Sequence, residues 1–325
     1  MFRKILKRII CFFKKFVYSS NNDEILIFKS GFNDNVAIKY LDNSESSDAV
    51  LTGKDRTLSN SFNWNMITNC NLGSHKLQFI GGNNEKRTVS IVDNPDTNYN
   101  NKALLFSISD HWEDSYGNGF SRIQLPIYDN PRGIHEMYIK QRMRLGNDFN
   151  IMRELPTDIT NVWGAIICEL FNDEAWTSSP YKFRLKVTIK KNPDNTDLIF
   201  LTDGQTHEDG RHNTVWDDIN YDFKILTDKW IEIEYYLKNG NKDIGRFIMT
   251  AKYDDSPTKH TIFDIHDSVH HPNDPDPYGI RHIQLLKLYN STNLTEFFKQ
   301  NGKKMEIYWD HLELWKNKKI NFNND

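Results

Sequence analysis

Apolar and polar residues alternate with period two in ten segments, and clusters of turn-forming residues separate them; this predicts an all-β sandwich. A second observation agrees. No long amphipathic helical pattern occurs after residue 20, so the chain has no βαβ rhythm. The third is bulk: 325 residues, 38% hydrophobic and 13% aromatic, suit one large sandwich of two broad sheets. Disordered chains lack that many aromatics.

The chain opens differently. In "MFRKILKRIICFFKKFVY" (1–18), Phe2, Ile5, Leu6, Ile9, Phe12, Phe13 and Phe16 recur at helical spacing. The basic residues fill the other side. The apolar run Ile9 to Phe13 stops at Lys14, short of the roughly 7–15 residues of a secretory core and the roughly 20 of a span. The pattern predicts a short amphipathic helix lying on a membrane surface, the alternative being an atypical export signal. Either places the protein at a membrane or outside the cytoplasm. "SSNNDE" (19–24) reads as a linker, residues 25–316 as one sandwich domain, and 317–325 as a polar tail.

Net charge is −3, unevenly spread. The first 20 residues carry six cations and no acid, leaving −9 on the rest. An acidic body of this kind is a poor partner for nucleic acid. Cys11, Cys70 and Cys168 are scattered and odd in number, so they form neither a disulfide framework nor a zinc motif. The histidines of "HDSVHHPNDPDPYGIRH" also fit no zinc spacing.

The strands in order are "SRIQLPI", "EMYIKQRMRL", "VWGAIICELF", "KFRLKVTIKK", "DLIFL", "KWIEIEYYLK", "RFIMTAKY", "TIFDI", "HIQLLKLY" and "MEIYWDHLELW". "YDNPRG", "KKNPDNTD", "KNGNKD", "YDDSP" and "HPNDPDPYG" read as turns between them. "LKNGNKDIGRF" reads as a hairpin, and "NLTEFFKQNGK" (293–303) as a short helix closed by a glycine.

Alternation assigns faces. On "EMYIKQRMRL", Tyr138, Lys140, Arg142 and Arg144 share one side. On "KFRLKVTIKK", Arg184, Lys186, Thr188 and Lys190 share another. Neighbouring cationic rows would form one patch, which an anionic ligand would neutralise. The other reading is a solvated face paired with acids such as Glu232 and Glu234. Those two carboxylates, about 7 Å apart on one strand, also invite a glycosidase reading. The Glu-x-Asp-x-Glu pattern of laminarinase-like hydrolases is absent, however. Glu169 sits in an apolar strand with Ile167 and Phe171 expected on its face. Burial there would raise its pKa and suit it to proton transfer, unless it pairs with Arg142 or Arg184.

Several pieces also stand in a familiar order: "SGF.D" from Ser30 to Asp34, "SRIQL", "YIKQRMRL", "WGAIICELFND", "YKFRLKVTIKK", "KWIEIEYYLK…GRF", "LLKLYNS" and "IYWDHLELW". Over about residues 28–316 this order resembles the concanavalin A-like jelly-roll polysaccharide lyases, which include heparin lyase I and the glucuronan lyases. The resemblance implies a jelly roll that cleaves acidic, uronate-containing polysaccharide by β-elimination. A cation neutralises the uronate carboxylate, a base takes the C5 proton, and an acid protonates the leaving oxygen. Lys287 and Tyr289 match the Lys-x-Tyr of these lyases. Where the family shows Gln-x-His, this chain has Glu169-Leu170-Phe171. Either Glu169 or a tyrosine takes over, or the protein is a lectin-like module that binds glycan without cleaving it. The expected catalytic set is Glu169, Lys287, Tyr289 and Arg142. The expected substrate contacts are Tyr138, Lys140, Arg144, Arg184, Lys186 and Trp230. No cofactor is required, though Asp310 matches a position that can hold a structural calcium.

Overall fold

The computed structural model describes residues 23–33, 35–41, 49–64, 76–79, 85–96, 101–113, 119–160, 162–172 and 180–320. The expected N-terminal helix (1–18) and most of the linker lie outside them. Two antiparallel sheets face each other across one apolar core, the jelly-roll sandwich the alternation predicts. The eight-stranded sheet contains β1 (Ile25–Ser30), β5 (Arg87–Asp93), β6 (Lys102–Ile108), β9 (Glu136–Leu145), β14 (Trp230–Lys238), β15 (Arg246–Tyr253), β16 (His260–Ile265) and β18 (Met305–Lys316). The ten-stranded sheet contains β2 (Ala37–Tyr40), β3 (Ala49–Thr52), β4 (Lys76–Phe79), β7 (Trp112–Glu113), β8 (Gly119–Ile134), β10 (Ala165–Phe171), β11 (Phe183–Lys191), β12 (Leu198–Glu208), β13 (Arg211–Asn220) and β17 (Ile280–Ser291). Its order is β13-β12-β11-β10-β17-β8-β4-β3-β2, with β7 on β8.

Alternation places the core. Met137, Ile139, Met143 and Leu145 of β9 and Phe183, Leu185, Val187 and Ile189 of β11 all enter the same buried cluster, from opposite sheets. The polar residues between them therefore point to opposite outer surfaces of the sandwich. This overturns the expectation of one patch shared by the two cationic rows.

β18 changes partner along its length. Met305–Trp309 pair with β6, and Leu312–Lys316 with β1. At the changeover His311 takes a φ of 46°, and the register with β9 shifts between Asp310 and Glu313. α1 (Thr292–Gln300) lies where the sequence predicts a helix. Its Phe298 packs edge-on against Phe149 at 5.5 Å, and the chain leaves it through Gly302 at a φ of 65°.

Two segments depart from expectation. "YDNPRG" is not a turn: β8 continues through it, with register shifts against β17 that absorb its irregular backbone. "RHNTVWDDIN" forms β13, which its polar composition hid. One apolar residue explains it. Trp216 turns into the core, donates Nε1–H to the Ser268 carbonyl at 2.7 Å, and lies over Gly204 of β12. The described start of the polar tail also packs, with Ile320 buried and the Lys318 ammonium 4.4 Å from the Tyr138 ring centroid. No helix among the described residues is long and apolar enough to cross a membrane.

A methyl group on Gly204 would sit 2.5 Å from the Trp216 indole. Gly204→Ala is therefore expected to cost about 1–3 kcal/mol in urea unfolding through overpacking. An unchanged midpoint would mean that β13 is not anchored this way.

Candidate active site

Two bulged strands gather polar side chains on the outer face of the ten-stranded sheet. In β10 the register against β11 shifts between Ile166 and Cys168. Ile167 and Cys168 both enter the core, and Glu169 emerges on the outside. Strict alternation would have kept Ile167 and Glu169 on one face. In β17 the register against β8 shifts at Ile283/Gln284 and again at Gln284/Leu286. Leu285 and Leu286 both go inward, so Gln284 and Lys287, three residues apart, meet outside. Bulges of this kind re-aim side chains and recur beside functional sites.

At the centre the Lys287 ammonium donates to Glu169 Oε2, and both residues are essentially inaccessible to water, at 0% and 2% exposure. Arg184 Nη1 donates to Glu169 Oε1 at 3.2 Å, and its Nη2 to Gln205 Oε1 at 2.6 Å. Lys287 also donates to Gln284 Oε1 at 2.5 Å; the Gln284 amide then donates to His282 Nε2 at 2.6 Å, so that nitrogen is the acceptor. Burial alone would push the Glu169 carboxyl up, but Lys287 and Arg184 hold it below the ordinary carboxylate range. Glu169 is therefore ionised and engaged, contrary to the raised pKa its apolar strand suggests. Burial draws the Lys287 ammonium down, opposed by Glu169.

Tyr289 stands beside this pair, with its ring centroid 5.2 Å from Lys287 Nζ and 5.6 Å from the Arg122 guanidinium. Phe120 and Trp163 pack against it at 6.1 and 5.6 Å. Burial pushes its phenol up, opposed by Arg122. The buried Nε of Arg122 has no hydrogen-bond partner among the described residues. A cleft of about 180 Å³ opens over Tyr289, lined by Trp163, Ile166, Arg184, Lys186, Gln205 and His212. His212 reaches it from the β12–β13 hairpin, 4.9 Å from His207 ring to ring. Desolvation, Arg184 and His207 pull it down to about 4, so it is neutral at physiological pH. Lys186 is held by Asp203 at 3.1 Å. In this cluster of described residues, four cations (Arg122, Arg184, Lys186 and Lys287) stand with three carboxylates (Glu169, Asp203 and, opposite Asp203 on β13, Asp217).

Of the expected set, Glu169, Arg184, Lys186, Lys287 and Tyr289 thus come together. Tyr138, Lys140, Arg142, Arg144, Trp230 and Asp310 do not, because β9, β14 and β18 belong to the other sheet. There acids clasp the cations: Lys140 meets Glu232 at 2.7 Å, Arg142 meets Asp310 at 3.0 Å and also Asp254, and Arg144 meets Asp228 at 3.3 Å. Trp230 is buried under the Arg142 guanidinium at 4.9 Å, and Tyr138 under Lys318, so neither offers a face to a sugar. Asp310 accepts from Arg142, Asn101 and the His311 N–H.

The sequence reading missed Arg122, His212, Gln205, Gln284 and Trp163 as site residues. Arg122 and Gln124 alternate with Ile123 and Leu125, a signal as clear as that of β9. Nothing local marks His212.

Removing one partner of a buried ion pair strands the other. Lys287→Met and Glu169→Met are each expected to lose about 3–5 kcal/mol of unfolding free energy. The double variant is expected to be more stable than either single one. Additive losses in denaturant unfolding would contradict this pairing.

No family model matches the chain, and no curated protein does. Among solved structures, the chain is similar to a marine PL-14 alginate lyase from Aplysia kurodai at 13% identity, covering 70% of this chain and 87% of that one, with a TM-score of 0.46. It is similar to the alginate lyase Aly36B at 15% identity, covering 88% and 95%, with a TM-score of 0.45. An endo-β-1,4-glucuronan lyase from the fungus Trichoderma reesei gives 12% identity, coverage of 73% and 89%, and a TM-score of 0.41.

Proposed function

We propose that the protein is a polysaccharide lyase that cleaves a uronate-containing chain by β-elimination in the Tyr289 cleft. The observation that carries this reading is the under-neutralised cationic cluster around Tyr289, with the Arg122 guanidinium beside the phenol ring. A uronate carboxylate supplies the charge this cluster lacks. Arg122 holds that carboxylate and stabilises the enolate-like charge that develops on it.

Neutral His212 takes the C5 proton. The electron pair forms the C4–C5 double bond, the C4–O bond breaks, and the Tyr289 phenol protonates the departing oxygen. His212 is neutral at physiological pH because its environment disfavours the imidazolium. The Tyr289 proton is held because burial disfavours the phenolate. Glu169 and Lys287 act as positioning residues: their pairing fixes β10 against β17 and sets the ammonium beside the phenol. The histidine absent from β10 is thus replaced from β13, on the same face of the sheet.

Polymers of uronic acids are expected to yield products with the ultraviolet absorbance of a new carbon–carbon double bond. Neutral polymers are expected to yield none. Tyr289→Phe should lower turnover by about 10²–10⁴-fold with the fold intact by circular dichroism. No absorbance change on a broad uronate panel, or new reducing ends without a double bond, would overturn the reading.

The pH profile follows from the same two groups. His212 must be neutral, so activity is expected to persist on the acid side until pH falls through about 4. Tyr289 must be protonated, so the alkaline limb is expected above the ordinary tyrosine pKa of about 10. An acid limb at an unperturbed histidine value, about 6.5, would remove His212 from this role.

A further inference from the structure

The Tyr289 cleft leaves the pattern of residues 1–18 unexplained. At a helical period, Ile5, Ile9, Phe12, Phe13 and Phe16 fall on one side, and Arg3, Lys4, Lys7, Arg8, Lys14 and Lys15 on the other. No acid occurs among the first 20 residues. Cations set against large apolar side chains on so short a segment suit neither a protein core nor a solvated surface. They suit the boundary between lipid headgroups and acyl chains, which takes the apolar side and, when the lipid is anionic, neutralises the cations.

The described residues add a second observation. The chain enters the sandwich at Ile25, opposite Lys316 at the end of β18. Asn317 Nδ2 donates to the Asp23 carbonyl at 3.4 Å, which ties the two ends of the domain together. Lysines gather there. Lys316 and Lys319 are exposed, Lys318 lies over the Trp315 ring at 4.2 Å, and Lys238 is exposed on β14, opposite Glu136. None of the four makes an ion pair among the described residues. Asp23, Glu24 and Glu136 stand at the same end, and Glu136 Oε1 accepts from the Tyr236 hydroxyl at 2.6 Å. Lysines without a clasping acid keep their charge for an outside anion. The Tyr289 cleft opens on the other sheet, so a surface held at this end leaves it uncovered.

We infer that the protein docks on an anionic bilayer, with the apolar side of residues 1–18 at the acyl boundary and the lysines around Lys316 facing the headgroups. Two weak attachments act together. A short amphipathic segment alone binds reversibly, and a basic patch beside it adds charge attraction. Residues 19–24 span at most about 20 Å, so segment and patch meet the same surface. The inference does not rest on the lyase reading, and its failure leaves that reading untouched.

The test is flotation of the full-length protein with vesicles of phosphatidylcholine alone and of phosphatidylcholine mixed with phosphatidylglycerol. The wild type is expected to float with the mixed vesicles only. Phe12→Asp combined with Phe13→Asp, which keeps every cation, is expected to abolish flotation. Lys316→Glu combined with Lys319→Glu is expected to weaken binding about tenfold or more, with the fold intact by circular dichroism. Equal flotation with both lipids, or with neither, would overturn the inference. Full flotation of the phenylalanine variant would show attachment by charge alone and remove the insertion. Unchanged binding of the lysine variant would take the body of the protein off the surface. A cellular protein that has lost residues 1–18 would mark them as an export signal and overturn the docking.

Discussion

A carboxylate with almost no access to water must keep its counter-charges, and Glu169 keeps two. Lys287 reaches it from β17 and Arg184 from β11, and the Arg184 guanidinium continues to Gln205 on β12. Four adjacent strands are thereby held in one arrangement by a single buried charge. The attraction alone does not make such a cluster stabilising, since desolvating three ions is expensive. What it enforces is geometry: neither Glu169 nor Lys287 can turn away without stranding the other. Tyr289, two residues beyond Lys287 on the same strand face, inherits that rigidity. So does the Gln284–His282 relay on the other side. A site built this way is pre-organised before any ligand arrives.

The two outer faces of the sandwich use charge differently. On the eight-stranded sheet the cations of β9 are matched by acids, and one arginine is shared between Asp254 and Asp310. Aromatic residues there are covered: Trp230 by Arg142, Tyr138 by the chain after β18. On the ten-stranded sheet positive charge exceeds negative within the described cluster, an aromatic ring stays exposed, and a cleft opens over Tyr289. Similar rows of lysine and arginine in the sequence therefore end as an internal ion-pair network on one side and as a candidate anion site on the other.

Much of this was legible in the sequence. Alternation gave β9 residue for residue and gave β11 its two faces, and the turn clusters separated β11 from β12 and β14 from β15. The short helix and the shared face of Lys287 and Tyr289 were also visible. Three things were not. A bulge inserts one residue into the count of two, and no residue type announces it. The faces of Glu169 and Gln284 were therefore unreadable. Sheet membership is a non-local property, so two cationic strands looked like neighbours when they belong to opposite sheets. β13 was hidden because most of its residues are polar, with Trp216 buried in the core and Val215 packed partly against it, and His212 was hidden with it. Local pattern decides element type, while pairing and bulges decide which side chains meet.

The most direct test of the central claim is a crystal structure of the Tyr289→Phe protein with a uronate tetrasaccharide. The account places one sugar carboxylate against the Arg122 guanidinium beside residue 289, on the outer face of the ten-stranded sheet. A tetrasaccharide seated on the eight-stranded sheet, or one whose carboxylates turn away from Arg122, would contradict it.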